Sequence, residues 1–382
     1  MQLETFSYTP PGGWSSDPLP ALDSRRTLVV AFGDPAFLDD PEPLRALARA
    51  YPRSHLVGCS TAGEILDTSL RDGSLAVAVA RFDTVDVVTA TAPVTSREGS
   101  FQAGATIARQ LASPELQAVL LLSEGLEVNG SELVRGLNAV LDHQVVITGG
   151  LAGDGQRFAQ TWTVVDGEPR RGFASAVGLY GRGLRIGYGS KGGWDAFGLE
   201  RLVTRSAGNV LFELDGQPAL ALYKEYLGDL AAGLPATGLL FPLAIRADAT
   251  AETSLVRTIL AVDEREQSLT FAGDIPQGAR AQLMRANFER LIEGAAGAAA
   301  MISGVPDDGS PTLAIAVSCV GRRLVLGRRA EDEIEATLDV LPAATRQIGF
   351  YSYGELSPAG AGSCDLHNQT MTLTLISEGA PA

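Results

Sequence analysis

The sequence predicts an α+β fold, with layered mixed sheets, flanking helices and two similar halves. Three observations carry that prediction. Short apolar strand runs alternate with amphipathic helices, antiparallel-looking runs lie between them, and one strand–helix–strand order recurs along the chain. Hairpin-like pairs among the strands favour layers of mixed sheet over one purely parallel sheet.

Taken in order, residues 1–26 are Pro-rich, lack periodicity and read as an irregular arm. Thr27-Leu28-Val29-Val30-Ala31-Phe32 is a buried-strand run that stops at Gly33-Asp34-Pro35. Residues 41–51 read as a helix, with Leu44, Leu47, Ala48 and Tyr51 on one face. His55-Leu56-Val57-Gly58 is a strand that leads into the turn Cys59-Ser60-Thr61-Ala62-Gly63-Glu64. The same order returns as the run 118–122, a helix over 132–141, and the strand Val145-Val146-Ile147 before Thr148-Gly149-Gly150-Leu151-Ala152-Gly153-Asp154. It returns again as the run 312–317, a helix over 331–341, and Ile348-Gly349-Phe350-Tyr351-Ser352-Tyr353-Gly354-Glu355-Leu356. The first and third copies share [VI]-G-x-x-[ST]-x-G-E-[IL]. Duplication explains this pattern, and so does the shared physics of αβ units.

Between the copies, residues 75–80, 85–90, 161–165, 174–179 and 184–187 read as antiparallel strands. Residues 209–229 read as a helical pair around Leu214-Asp215-Gly216-Gln217-Pro218, and 281–301 as a long Ala-rich helix holding Leu283, Phe288, Leu291 and Ile292. A boundary near 195–205 then gives an N-terminal domain over 27–200 and a C-terminal domain over 201–382.

Composition bounds the function. The chain has 382 residues, 45% of them hydrophobic, so it can bury a full core in about two domains. Its net charge of −15 disfavours nucleic acid and anionic membrane surfaces. Cys59, Cys319 and Cys364 make no disulfide framework, Met1–Thr5 lacks the opening of a signal peptide, and no apolar run is long enough to span a bilayer. A cytoplasmic location is the expectation. No Walker A motif, HExxH or G-x-S-x-G occurs, and Gly187-Tyr188-Gly189-Ser190-Lys191-Gly192 does not open an apolar helix as a dinucleotide loop should. A non-enzyme is therefore expected.

Candidate binding residues gather near the C-terminus. Met371, Leu373 and Leu375 alternate with Thr370, Thr372 and Thr374 as in a half-buried strand. Carried backwards, that parity puts Gln369 and His367 on the apolar side. An imidazole entering an apolar cavity beside Asn368 and Met371 suits an axial ligand of haem iron, while the plainer reading is a core histidine bonded to a carbonyl. His55 and His143 sit at element ends and read as structural. Arg322 belongs to a basic cluster with Arg323, Arg328 and Arg329. Such guanidinium groups can clamp a carboxylate, or can meet the acidic run Glu331-Asp332-Glu333. Cys319 can serve as ligand or nucleophile, or be an inert small hydrophobe. Tyr351, Tyr353 and Glu355 alternate before a glycine turn and can line a pocket, or simply pack.

These residues resemble a known family. His55–Ile65 and Gly149–Gly155 look like parts of the N-terminal FIST domain, and Leu214–Ala219 with Tyr223–Gly228 looks like the start of the C-terminal FIST domain. Ser318–Arg322, Gly349–Glu355 and Leu366–Leu373 look like its end, so the resemblance covers roughly residues 25–380. It implies a sensory module of signal transduction that binds a small ligand, the family being associated with amino-acid-like ligands. Stand-alone members that this chain resembles include haem proteins that sense nitric oxide and regulate a partner histidine kinase. With no kinase or cyclase segment visible, signalling through a separate protein is expected. The sharpest expectation is a haem-based nitric oxide sensor with His367 on the iron. A second is a sensor for an amino acid or other organic carboxylate, read by Arg322, Tyr351, Tyr353 and Glu355. A third, from a different class, is an acyl-transfer enzyme using Cys319 with His367 as base.

Overall fold

A computed structural model describes residues 1–251, 254–359 and 362–379. It is a mixed α+β structure of layered mixed sheets, and the recurring strand–helix–strand order organises it as three units. In each unit two parallel strands flank a helix. They are Thr27–Gly33 and His55–Ser60 with helix Glu42–Ala50, then Leu116–Ser123 and Val146–Leu151 with helix Gly130–Asn138. In the third unit they are Thr312–Cys319 and Thr345–Ser352, with helices Val320–Leu326 and Ala330–Leu338. A return strand runs antiparallel to the first strand of each pair: Leu75–Arg81, Phe173–Tyr180 and Met371–Glu378. A lead strand then pairs with each return strand: Gln2–Thr9, Asp86–Pro93 and Leu184–Lys191.

The units interlock through their hairpins. The hairpin of the first unit, Glu64–Leu66 with Ser69–Arg71, adds to the sheet of the third unit; that of the second, Thr163–Val165 with Glu168–Arg170, adds to the first. That of the third, Gly354–Ala359 with Ser363–His367, adds to the second. The exchange is cyclic, so each sheet is completed by its neighbour.

Strand alternation explains why the first strands are apolar throughout. Leu28, Val30 and Phe32 meet Leu120, Leu122, Leu313, Ile315 and Val317 in one central core. The intervening residues face outward beneath helices: Val29 and Ala31 in one cluster, Val119 and Leu121 in a second, Ala314 and Ala316 in a third. Both faces are buried, so the polar half of the usual alternation disappears. Gly58, Gly149 and Gly349 sit opposite Ala31, Leu121 and Ala316 on the parallel partners. A Cβ at any of the three would lie 2.1, 1.8 or 1.9 Å from the facing carbonyl oxygen, so only glycine fits.

Residues 195–285 form an inserted sheet between the lead strand and the helix Phe288–Ala300 of the third unit. Helix Ala219–Leu227 covers it through Leu220 and Tyr223, which pack on Val203, Leu211, Leu269 and Phe271.

Three expectations change here. Residues 2–9, expected to be irregular, add a strand to Leu75–Arg81, with Phe6 buried in the core of the first unit. Residues 209–229 are only half helical: Val210–Leu214 is a strand that turns at Asp215 and Gly216, both at positive φ, before the helix starts at Ala219. Residues 281–285 are likewise strand, and the long helix begins at Phe288 with Asn287 as N-cap, its side chain accepting from the Arg290 amide.

Candidate functional site

The carboxyl ends of parallel strands in the second and third units face the inserted sheet across a cavity of about 700 Å³. Glu124, Leu126, Val128 and Leu151 come from the second unit, Cys319, Val320 and Tyr353 from the third, and Leu239, Thr258, Leu260 and Phe271 from the insert. Two contacts hold the insert beside it. The buried Arg257 donates from Nη1 to the Leu366 carbonyl at 2.7 Å, and Asn129 Nδ2 donates to Asp274 at 3.4 Å.

Opposite walls of this cavity each carry a buried polar group without a partner. Glu124 is 4% exposed; its Oε2 accepts from the Leu126 amide at 3.1 Å and the Thr161 hydroxyl at 3.5 Å, while Oε1 has no partner. Burial holds this carboxyl above its ordinary pKa. Thr258 is 5% exposed, and its hydroxyl is also unpartnered. Buried polar atoms are nearly always satisfied, so two such atoms on facing walls mark positions for a ligand's polar groups. At the mouth lie the exposed Arg97 and Arg171, whose guanidiniums donate to carbonyl oxygens of Leu126 and Ala159 at 3.4 and 3.3 Å. Neither forms an ion pair among the described residues, which leaves both free for an anion.

A folded loop braces the mouth. Asp154 accepts the amides of Phe158, Ala159 and Gln160 at 2.8–2.9 Å. Its carboxyl also takes the Tyr353 hydroxyl, which lies 3.0 Å from the Gly155 carbonyl. Burial raises the Asp154 pKa, but these hydrogen bonds outweigh it and hold the carboxyl below its ordinary range. Phe158, 56% exposed, stacks on the Tyr353 ring at 4.8 Å between centroids.

The structure places the sequence-predicted residues in three groups. Cys319 and Tyr353 line the cavity. Burial, then the nearby Glu355 carboxyl, pushes the Cys319 thiol up to about 12, which makes it a poor nucleophile. Arg322 and Tyr351 are spent elsewhere. Arg322 is fully buried and pairs with Glu333 at 2.6 Å, also donating to carbonyls of Gly192 and Leu291. Tyr351 gives its hydroxyl to Glu333 at 2.8 Å, and Ser318 does the same at 2.9 Å. No donor of this network is left for a ligand carboxylate. Glu355 is buried on Ser352 and Thr370, and its carboxyl is pushed up to about 8 by burial.

The parity argument for His367 fails at a bend. The strand Ser363–His367 ends there, Gln369 adopts φ +62°, and a new strand begins at Met371. Met371 therefore joins the core beneath helix Phe288–Ala300, whereas His367 is paired with Glu355 in the hairpin. Its Nε2 lies 3.1 Å from the Ser357 carbonyl, and the charges of Asp365 and Arg257 act on the ring. Haem does not fit this position: the ring nitrogen is engaged by a backbone carbonyl, and His367 does not line the cavity. Asn368 and Gln369 are buried with their carboxamide atoms unpartnered, the latter against Gly321.

Glu124, Thr258, Arg97 and Arg171 were not legible as site residues. Only Glu124 carried a signal, an acid directly after the apolar run Leu116–Ser123 and before Gly125.

Comparison with known proteins gives two family matches and likenesses to solved structures. The FIST N domain matches residues 27–217, and the FIST C domain matches residues 219–358. No curated protein matches the sequence. A crystal structure of a cyanuric acid hydrolase from A. caulinodans is similar over 99% of each chain, at 10% identity and a TM-score of 0.36.

Proposed function

The chain belongs to the FIST family, whose domains imply a small-ligand sensory role in signalling, and from that premise we propose that it is a receptor for a small organic carboxylate held in the cavity between the three-unit body and the inserted sheet. The observation that carries this reading is the pair of unpartnered buried groups, Glu124 Oε1 and Thr258 Oγ1, on facing walls. Arg97 and Arg171 supply positive charge for the acid group. A ligand touching both walls is bound best when insert and body are held together, so occupancy shifts the balance of their arrangements. A separate signalling protein, with a histidine kinase as the expected class and the cytoplasm as the expected setting, would read that shift.

Thermal-shift screening against amino acids and other organic carboxylates tests the proposal, because a ligand that binds only the folded state raises Tm. The expected result is a rise at millimolar ligand that is reduced in Glu124→Gln. No rise with any carboxylate, or an equal rise in a variant whose cavity is filled by Ala272→Trp, would overturn it.

A further inference from the structure

We infer that the ligand is a short peptide with apolar side chains, bound with its amino terminus inward at Glu124 and its carboxylate outward at Arg97 and Arg171; this rests on the cavity being the ligand site. Three features of the cavity lead there.

The first is size. About 700 Å³ falls within the range that encloses a drug-sized molecule and is far more than a single free amino acid fills. The second is the separation of charge by depth. Glu124 is 4% exposed, whereas Arg97 and Arg171 are exposed at the mouth. In a free amino acid the ammonium and carboxylate share one Cα, so both cannot serve a buried acid and a surface arginine pair at once. A peptide sets its two termini apart by one or more residues, at up to about 3.3–3.6 Å of chain each.

The third feature is the wall between those charges. Val128, Leu126, Leu239, Leu260 and Phe271 give the space a predominantly apolar lining, with Asn129, Thr161 and Asn209 among its polar residues. Apolar side chains placed there leave water, which favours binding. The unpartnered hydroxyl of Thr258 can accept from, or donate to, a peptide group passing it.

The experiment uses the full chain and calorimetry with di- and tripeptides built from Leu, Val and Phe, alongside the corresponding free amino acids. The expected result is tighter binding of a peptide than of any free amino acid. Acetylating that peptide's amino terminus should weaken binding at least tenfold in the wild type and much less in Glu124→Gln. Amidating its carboxyl terminus should weaken binding in the wild type and much less in Arg97→Ala/Arg171→Ala, whose exposed side chains can be removed without disturbing the fold. Free amino acids binding as tightly as peptides, with the same dependence on Glu124, would overturn the peptide inference and leave the cavity reading intact. No binding from either set would overturn the peptide inference, and peptide binding unchanged in Ala272→Trp would overturn both.

Discussion

Glu64 and Glu355 occupy the same station in the first and third units. Each is followed by a residue, Ile65 or Leu356, that pairs with the strand glycine of the neighbouring sheet, Gly349 or Gly149. Each carboxyl takes a hydroxyl from three residues earlier, Thr61 or Ser352, and both an amide and a hydroxyl from the residue just before the return strand, Ser74 or Thr370. The second unit has Thr163 at this register, opposite Cys59, and the cavity opens at that unit's end of the body.

Burial pushes both carboxyls up to about 8, against three hydrogen bonds each that favour the charged form. The unfolded value is about 4.3. A folded pKa above the unfolded one means that the folded state holds the proton more tightly. The contribution of these groups to stability is full below about pH 4.3 and is lost as pH rises through about 8. Glu64→Gln and Glu355→Gln should therefore gain Tm relative to the wild type as pH is raised from 5 to 9. A Tm difference that stays flat over that range would contradict the assignment.

Arg322 and Glu333 form an ion pair with neither side chain exposed, and Glu333 also receives Ser318 and Tyr351. Removing one partner strands the other charge in the interior, at a cost of about 3–5 kcal/mol. Arg322→Met should lower the urea midpoint accordingly, and Arg322→Met/Glu333→Leu should recover part of the loss. A midpoint within error of the wild type for Arg322→Met would show that the pair is open to water.

Gly58→Ala, Gly149→Ala and Gly349→Ala each force a Cβ within 2.1 Å or less of a carbonyl oxygen in a parallel strand. The backbone must move, costing at least about 1–3 kcal/mol. All three should lose stability, Gly149→Ala the most, because Gly149 also sits at φ +139°, where an L side chain is strained. Gly99→Ala, whose nearest neighbour would be 3.5 Å away, is the control and should be near neutral. Chemical denaturation of the four variants checks this, and an unaffected Gly349→Ala would contradict it.

With burial pushing the Cys319 thiol up to about 12, the thiolate is scarce at pH 8. Native protein should resist iodoacetamide at this residue, reacting only on unfolding, and Cys319→Ser should keep its ligand-induced rise in Tm. Rapid native alkylation of Cys319, read by peptide mass, would contradict the burial argument.

Much of this fold was legible as periodicity. Both-face burial turned the first strands into unbroken apolar runs such as Thr27–Phe32, and the glycine turns fixed where each unit closes. The exchange of hairpins between units was not, because pairing of Glu64–Leu66 with Thr345–Ser352 joins segments about 280 residues apart that no local pattern connects. The site was read least well. Arg322 and Tyr351 have the chemistry of ligand contacts, but Glu333 claims both. The parity that set His367 beside Met371 broke at Gln369, whose positive φ leaves no mark in an alternation of apolar and polar residues. Glu124 and Thr258, far apart in sequence, meet only because the insert folds back over the strand ends.

Hydrogen exchange with and without the bound carboxylate tests the central claim most directly. If the ligand lies between the body and the insert, protection should rise together in residues 125–129 of the second unit and 271–273 of the insert. Protection confined to the hairpin 363–371, with both cavity walls unchanged, would contradict it and return the search to the surroundings of His367.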